Sequence, residues 1–368
     1  MNRLAQTLSD GLKACADAFR PSDTLEAREH FVRRLRRRRA AHVAGAVAAA
    51  GATAVLVVLA LPGVVDREPL PAASRPVITQ SFSVGDGPRG PVAALGGVWV
   101  ANGSGGTLTR VDIASGETRS VRPLRGVESA PAAVTSWRGF LFFTDAASGM
   151  LVPADPRSGS VPTQSPVGPD PGDVVATNDG VWVASSDASG GGAVWLSSPA
   201  SEEAGSDAPE IPTVATFAGR PELAADADVV WASSERGITA LRIEGGEVVQ
   251  RDVAEVAGAG DIATRAGIVW VVTDSGEVVR VDGDAGEITE RADLGLPAGS
   301  GVASDQDALW IVGGTGERGE ILRLDAESLD VLGRRSLPGG PFAVTTADGA
   351  AWVTDAAGDA VLRIEPGD

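Results

Sequence analysis

The sequence predicts an all-β, seven-bladed β-propeller, preceded by a short cytoplasmic helical segment and one transmembrane helix, and three observations predict it. An aromatic-centred phrase recurs seven times at intervals near 40 residues, the signature of stacked blades. The chain between anchors breaks into short apolar runs bounded by glycine, serine and aspartate turns. Ahead of the repeats stands one long apolar stretch with arginines on its N-terminal side.

The phrase is clearest as Gly97-Val98-Trp99-Val100-Ala101-Asn102 and returns around Trp182, Trp231, Trp270, Trp310 and Trp352, with Phe142 standing in once for tryptophan. The intervals between anchors are 43, 40, 49, 39, 40 and 42 residues. A large aromatic at one fixed place per repeat is expected to pack between neighbouring sheets. Trp137 and Trp195 fall outside the pattern and are the two tryptophans expected to reach the surface.

Taken in order, residues 1–40 read as a basic cytoplasmic head. Leu4, Leu8, Leu12, Cys15 and Phe19 form one helical stripe, Pro21 breaks it, and Asp23 with Glu26 starts a second helix. Arg33, Arg34 and Arg36 to Arg39 then precede residues 41–65, 25 residues of apolar chain that are long enough to cross a bilayer. The arginines place the N-terminus in the cytoplasm. A cleaved signal peptide ending at Val58-Leu59-Ala60 is the rival reading of this stretch. Residues 66–76, with Pro69, Pro71 and Pro76, make a short linker.

Residues 77–368 hold the blades. In the first, strands are expected over 92–95, 98–102, 107–112 and 118–123, and the third strand recurs with an arginine, as in Arg110-Val111-Asp112 and Arg363-Ile364-Glu365. Apolar residues alternating with arginine there suggest an outer, half-solvated strand. The last repeat stops three strands in, while an unassigned strand-like run, 77–84, precedes the first. That run is expected to complete the last blade and close the ring, which leaves no sheet edge open.

Composition narrows the chemistry. Of 31 basic and 49 acidic residues, 12 and 7 lie in residues 1–76, leaving 19 against 42 beyond them. A body near −23 repels nucleic acid. The single cysteine, Cys15, and both histidines, His30 and His42, precede the repeats, so thiolate metal sites and histidine-based catalysis are not written into the propeller. Arginine almost replaces lysine, and alanine, glycine and valine abound, which reads as GC-rich, bacterial coding.

One constellation is positional. Loops leading into first strands carry Asp86, Arg89, Asp170, Asp173, Arg220, Glu222 and Asp261, and turns after second strands carry Asn102, Asp145, Asp187, Asp274 and Asp355. In a four-stranded blade both sets share a face, so they would ring the mouth of the central channel. Solvated turn residues are the plainer reading. The sharper one is a mostly acidic funnel for a divalent cation, a cationic small molecule or a partner's basic loop, with Asp145, Asp170, Asp173, Asp261 and Asp355 as metal-ligand candidates and Asp86, Arg89, Asn102, Arg220 and Glu222 on the binding face.

The repeats, with Gly87-Pro88 leading in, Gly97-Val98-Trp99-Val100 as second strand and Arg110-Val111-Asp112 ending the third, resemble bacterial virginiamycin B lyase-like and NHL-like propellers over about four-fifths of the chain. That resemblance implies the propeller fold. The lyase's activity rests on a catalytic histidine and a divalent metal held by acidic groups, and this propeller lacks the histidine. The expected function is therefore a membrane-tethered, extracytoplasmic module that binds, senses or scaffolds, with a protein or glycan partner on the propeller and lipid around residues 41–65. The alternatives are a metal-dependent lyase or hydrolase working at the acidic mouth, and a transmembrane regulator holding a cytoplasmic partner through residues 1–22.

Overall fold

A computed structural model describes residues 75–186, 191–197, 211–297, 301–306, 308–315 and 318–367. The expectations for the head at 1–40 and the apolar segment at 41–65, and most of the linker, lie outside these residues. Among the described residues no helix is long and apolar enough to cross a membrane.

The unit Pro71–Asp368 is built of seven four-stranded antiparallel sheets. Strand β1 (Val77–Ser83) comes first. Blade one follows as β2 to β5 (Pro88–Ala94, Gly97–Asn102, Thr107–Asp112, Thr118–Val121), and blade two as β6 to β9 (Pro131–Trp137, Phe140–Asp145, Met150–Ala154, Ser165–Pro166). Blade three is β10 to β13 (Val174–Ala176, Val181–Ser186, Gly192–Ser197, Thr213–Phe217), and blade four is β14 to β17 (Glu222–Asp226, Val229–Ser234, Gly237–Glu244, Glu247–Ala254). Blade five is β18 to β21 (Ala259–Arg265, Ile268–Thr273, Glu277–Asp282, Glu287–Asp293), and blade six is β22 to β25 (Gly301–Ser304, Ala308–Thr315, Arg318–Asp325, Val331–Pro338). Blade seven has only β26 to β28 of its own (Pro341–Ala347, Ala350–Asp355, Ala360–Glu365), and β1 pairs with β28 to complete it, from Val77 opposite Glu365 to Ser83 opposite Ala360. The first strands β2, β6, β10, β14, β18, β22 and β26 approach one another in turn all the way round, so the ring is closed.

Period-two alternation explains why one aromatic per blade suffices. In β3, Trp99 and Ala101 face forward onto Leu141, Phe143, Val152 and Ala154 of blade two, while Val98 and Val100 face back. Phe142 does the same against Val181 and Val183, Trp182 against Val230 and Leu241, Trp231 against Val269 and Val281, and Trp310 against Val353 and Ile364. Trp352 completes the circuit on Val98 and Val100. All six patterned tryptophans are at most 2% exposed. Trp137 and Trp195 are half-buried, Trp195 donating its indole N–H to Ser185 Oγ at 2.7 Å.

Of the third-strand arginines, Arg110, Arg242, Arg323 and Arg363 are half-buried, as the alternation predicts, and Arg280 is buried. Arg110, Arg280, Arg323 and Arg363 sit directly across the ladder from Trp99, Trp270, Trp310 and Trp352. The guanidiniums of Arg323 and Arg363 lie 5.8 and 5.9 Å from the rings they cover, and Arg280 is only 5% exposed. In blades six and seven a planar cation over an indole face covers the outer end of the packed seam.

Candidate functional site

In blades one, two, three, five and seven the lead-in loop is stitched to the turn after the second strand. Gly103 N–H donates to the Gly87 carbonyl at 2.9 Å, Ala146 to Ala130 at 3.0 Å and Ala356 to Gly340 at 3.1 Å. The two sets of loops therefore share one face.

Three of the sequence-derived candidates are consumed in building that face. Asn102, Asp145 and Asp355 each stand three residues after their aromatic anchor, and each is buried. Asp355 Oδ1 accepts the N–H groups of Gly340, Ala357 and Gly358 at 3.0–3.1 Å, and Gly339 packs so closely on this carboxylate that no side chain would fit there. Asp145 Oδ1 accepts Ala130 and Ala147 in the same way, leaving Oδ2 without a partner among the described residues. Asn102 donates to Thr107 and Thr109. These are turn caps, and the structure does not bring them to the other carboxylates.

The remaining candidates divide into two arcs. On the first, exposed Arg89 in blade one lies over the Phe342 ring of blade seven, 5.7 Å from its centroid, and Phe342 is 49% exposed. Asp86 is exposed nearby, its carbonyl accepting from Gly105. The other arc belongs to blades three to five. Arg220 Nη1 lies 3.3 Å from Asp170 Oδ2, and Nη2 lies 3.9 Å from Glu222 Oε1. Asp170 itself takes a left-handed backbone, φ 46°.

The register shows what the acidic arc shares. The residue just before the one that pairs opposite the anchor's successor is Gly90, Ala133, Asp173, Glu222, Asp261, Gly301 and Ala343 in blades one to seven. These positions are neighbours, since a Cβ on Gly90 would lie 3.6 Å from Ala133 Cβ, and one on Gly301 3.5 Å from Asp261 Oδ2. Four blades thus carry glycine or alanine at this level of the channel, and three consecutive ones carry acids.

Each aspartate joins two blades. Asp173 Oδ1 accepts its neighbour Val174 N–H at 3.0 Å, and Oδ2 accepts Leu223 N–H of blade four at 2.8 Å. Asp261 repeats this with Ile262 at 2.9 Å and Val302 of blade six at 2.7 Å. Burial pushes the Asp173 carboxyl up against the pull of those amides and of Arg220. Burial, with Asp173 nearby, raises Asp261 to about 7. Glu222 has no amide donor and stands between the two. Burial first, then Asp173 and Asp261, raise it to about 8 against Arg220. Its side chain keeps 38% of its surface accessible, so solvent in the channel softens that cost without cancelling it. Amides favour the ionised form of the two aspartates, and Glu222 lacks that help among the described residues.

Among the described residues no group of three or more histidine, cysteine, aspartate or glutamate side chains is arranged to hold a metal ion. The arc can offer a cationic group a cluster of carboxyl oxygens, with Glu222 as a hydrogen-bond donor while it is protonated. Sequence reasoning named every acid of the arc but missed Phe342, for which an aromatic outside the anchor pattern, in Gly339-Gly340-Pro341-Phe342, was the signal.

No protein-family model and no curated protein sequence matches the chain. Among solved structures, BamB from Moraxella catarrhalis aligns at 15% identity and a TM-score of 0.48, covering 73% of this chain and 81% of that one. The computationally designed Ika8 protein aligns at 12% identity and a TM-score of 0.52, covering 77% of this chain and 98% of that one, a likeness of fold alone.

Proposed function

We propose that the protein is a membrane-tethered, extracytoplasmic propeller that binds a protein partner at the mouth of its central channel. The observation that carries this reading is the lopsided mouth. An exposed aromatic and an arginine occupy one arc, and three carboxylates occupy the opposite one, on a closed ring of blades. Such an amphipathic rim suits a segment presenting an apolar side chain beside a basic one. The tether is supported by the six arginines before residues 41–65, and kinship with the virginiamycin B lyase-like propellers by the repeated Trp and Arg pattern.

Two experiments test this reading. Cys15, the single cysteine, reports topology: in intact cells a membrane-impermeant maleimide should leave it unlabelled until the membrane is opened, and labelling of intact cells would refute a cytoplasmic N-terminus. A photo-crosslinking residue at position 342 should trap a discrete adduct that is absent at position 288, on the outer strand of blade five, and that disappears in Asp173→Asn. Equal adducts at both positions, or none at 342, would rule out the mouth as the binding surface.

A further inference from the structure

The outer side of blade four is built differently from those of blades one, five, six and seven. Opposite Trp231 the ladder carries Ala240 where those blades carry arginine. The next residue outward in the ladder, Arg251 of β17, donates to the Gly283 and Asp284 carbonyls of blade five. Beside Ala240 and Arg251 lies a groove of about 270 Å³, lined by Ala240, Arg242, Glu244, Val249, Arg251 and Asp284. Val249, 40% exposed, pairs across the ladder with Arg242.

We propose that this groove binds the carboxylate of a small organic acid or acidic side chain. Arg242 is half-buried, and none of its five N–H donors has a partner among the described residues. Arg251 spends two donors on carbonyls that fix its guanidinium in place, leaving three. Two planar forks in one concavity match a carboxylate, and Val249 and Ala240 offer a short apolar wall for the carbons behind it. The volume is below the usual 300–1,000 Å³ of drug-sized sites, which limits the occupant to a few heavy atoms beyond the carboxylate. Exposed Glu244 and Asp284 at the rim favour a singly charged acid over a doubly charged phosphate.

The test is saturation-transfer NMR of butyrate, with inorganic phosphate in a parallel titration, on the full-length protein at fixed ionic strength. Wild type should show saturable transfer to butyrate and weaker competition by phosphate. Arg242→Ala should weaken butyrate binding about tenfold or more, as loss of a charged hydrogen-bond partner does. Val249→Asp, which places an internal carboxylate across from Arg242, should abolish it. Arg334→Ala, which removes a surface arginine beside Glu320 in blade six, should leave it unchanged. Butyrate without saturable transfer, binding unaltered in both groove variants, or phosphate bound more tightly than butyrate would each overturn the proposal.

Discussion

The ring of Phe82 stacks on that of Trp352, their centroids 5.5 Å apart and their planes 19° from parallel. One belongs to the first strand of the propeller and the other to its last blade, and both pack against Val98 and Val100 of blade one. This is the seam where the ring closes. Phe82→Ala should therefore cost about 2–3 kcal/mol, less than a fully buried phenylalanine because Phe82 is half-buried. Urea unfolding would measure it, and a cost near zero would mean that the backbone ladder of β1 alone holds the ring.

The acidic arc makes stability depend on pH in a defined direction. Unfolded carboxyls titrate near ~4, whereas folded Asp261 and Glu222 titrate at about 7 and about 8. The native state thus holds more protons than the unfolded one between these values. The contribution of these groups is complete below pH ~4 and is lost as pH rises through their folded pKa values. Glu222→Gln stays neutral throughout. It should raise the denaturation midpoint at pH 8 and leave it nearly unchanged at pH 4, and a variant less stable than wild type at pH 8 would contradict the arrangement.

The tight turns between first and second strands are written with unusual residues. Leu95 and Gly96 both take positive φ, 51° and 72°, the conformation of a two-residue hairpin turn that favours Asn-Gly. Leucine is disfavoured there, and its side chain is 44% exposed. Leu95→Asn should stabilise the protein by about 0.5–1 kcal/mol, seen as a higher melting temperature. A lower one would show that Leu95 makes a contact worth more than the strain.

Asp355 has a different vulnerability. Its Oδ1 serves three backbone amides, so Asp355→Ala would strand donors of a buried turn and should cost about 2–3 kcal/mol. Asp355→Asn keeps an acceptor oxygen and should cost less. Equal losses in the two variants, measured by chemical denaturation, would point to the charge rather than the hydrogen bonds.

The blades were legible because each aromatic anchor does a single job at a single spacing, and closure followed from counting strands at the two ends. Which polar residues face the channel was harder to read. Ladder irregularities between Pro88 and Pro91, Pro131 and Val134, Ala259 and Ile262, and Pro341 and Val344 break the simple alternation of the first strands. Spacing alone therefore could not separate Asp173 and Asp261, which line the wall, from Asp145 and Asp355, which cap turns. The third-strand arginines other than Arg280 are half-buried, as their alternation with apolar residues predicts, but spacing does not reveal that Arg323 and Arg363 lie over an indole.

The β1·β28 pairing also sets an order of events in time. Thr79 Oγ1 bonds the Arg363 carbonyl across 284 residues, so the strand made first has nothing to pair with until the last is made. At translation speeds of 5–20 residues per second that wait is roughly 15–60 s. Throughout it, six blades' worth of chain is able to fold by nearest-neighbour contacts, while β1 keeps its ladder groups unpaired. The nascent propeller is most exposed to mispairing with other copies at Val77–Ser83.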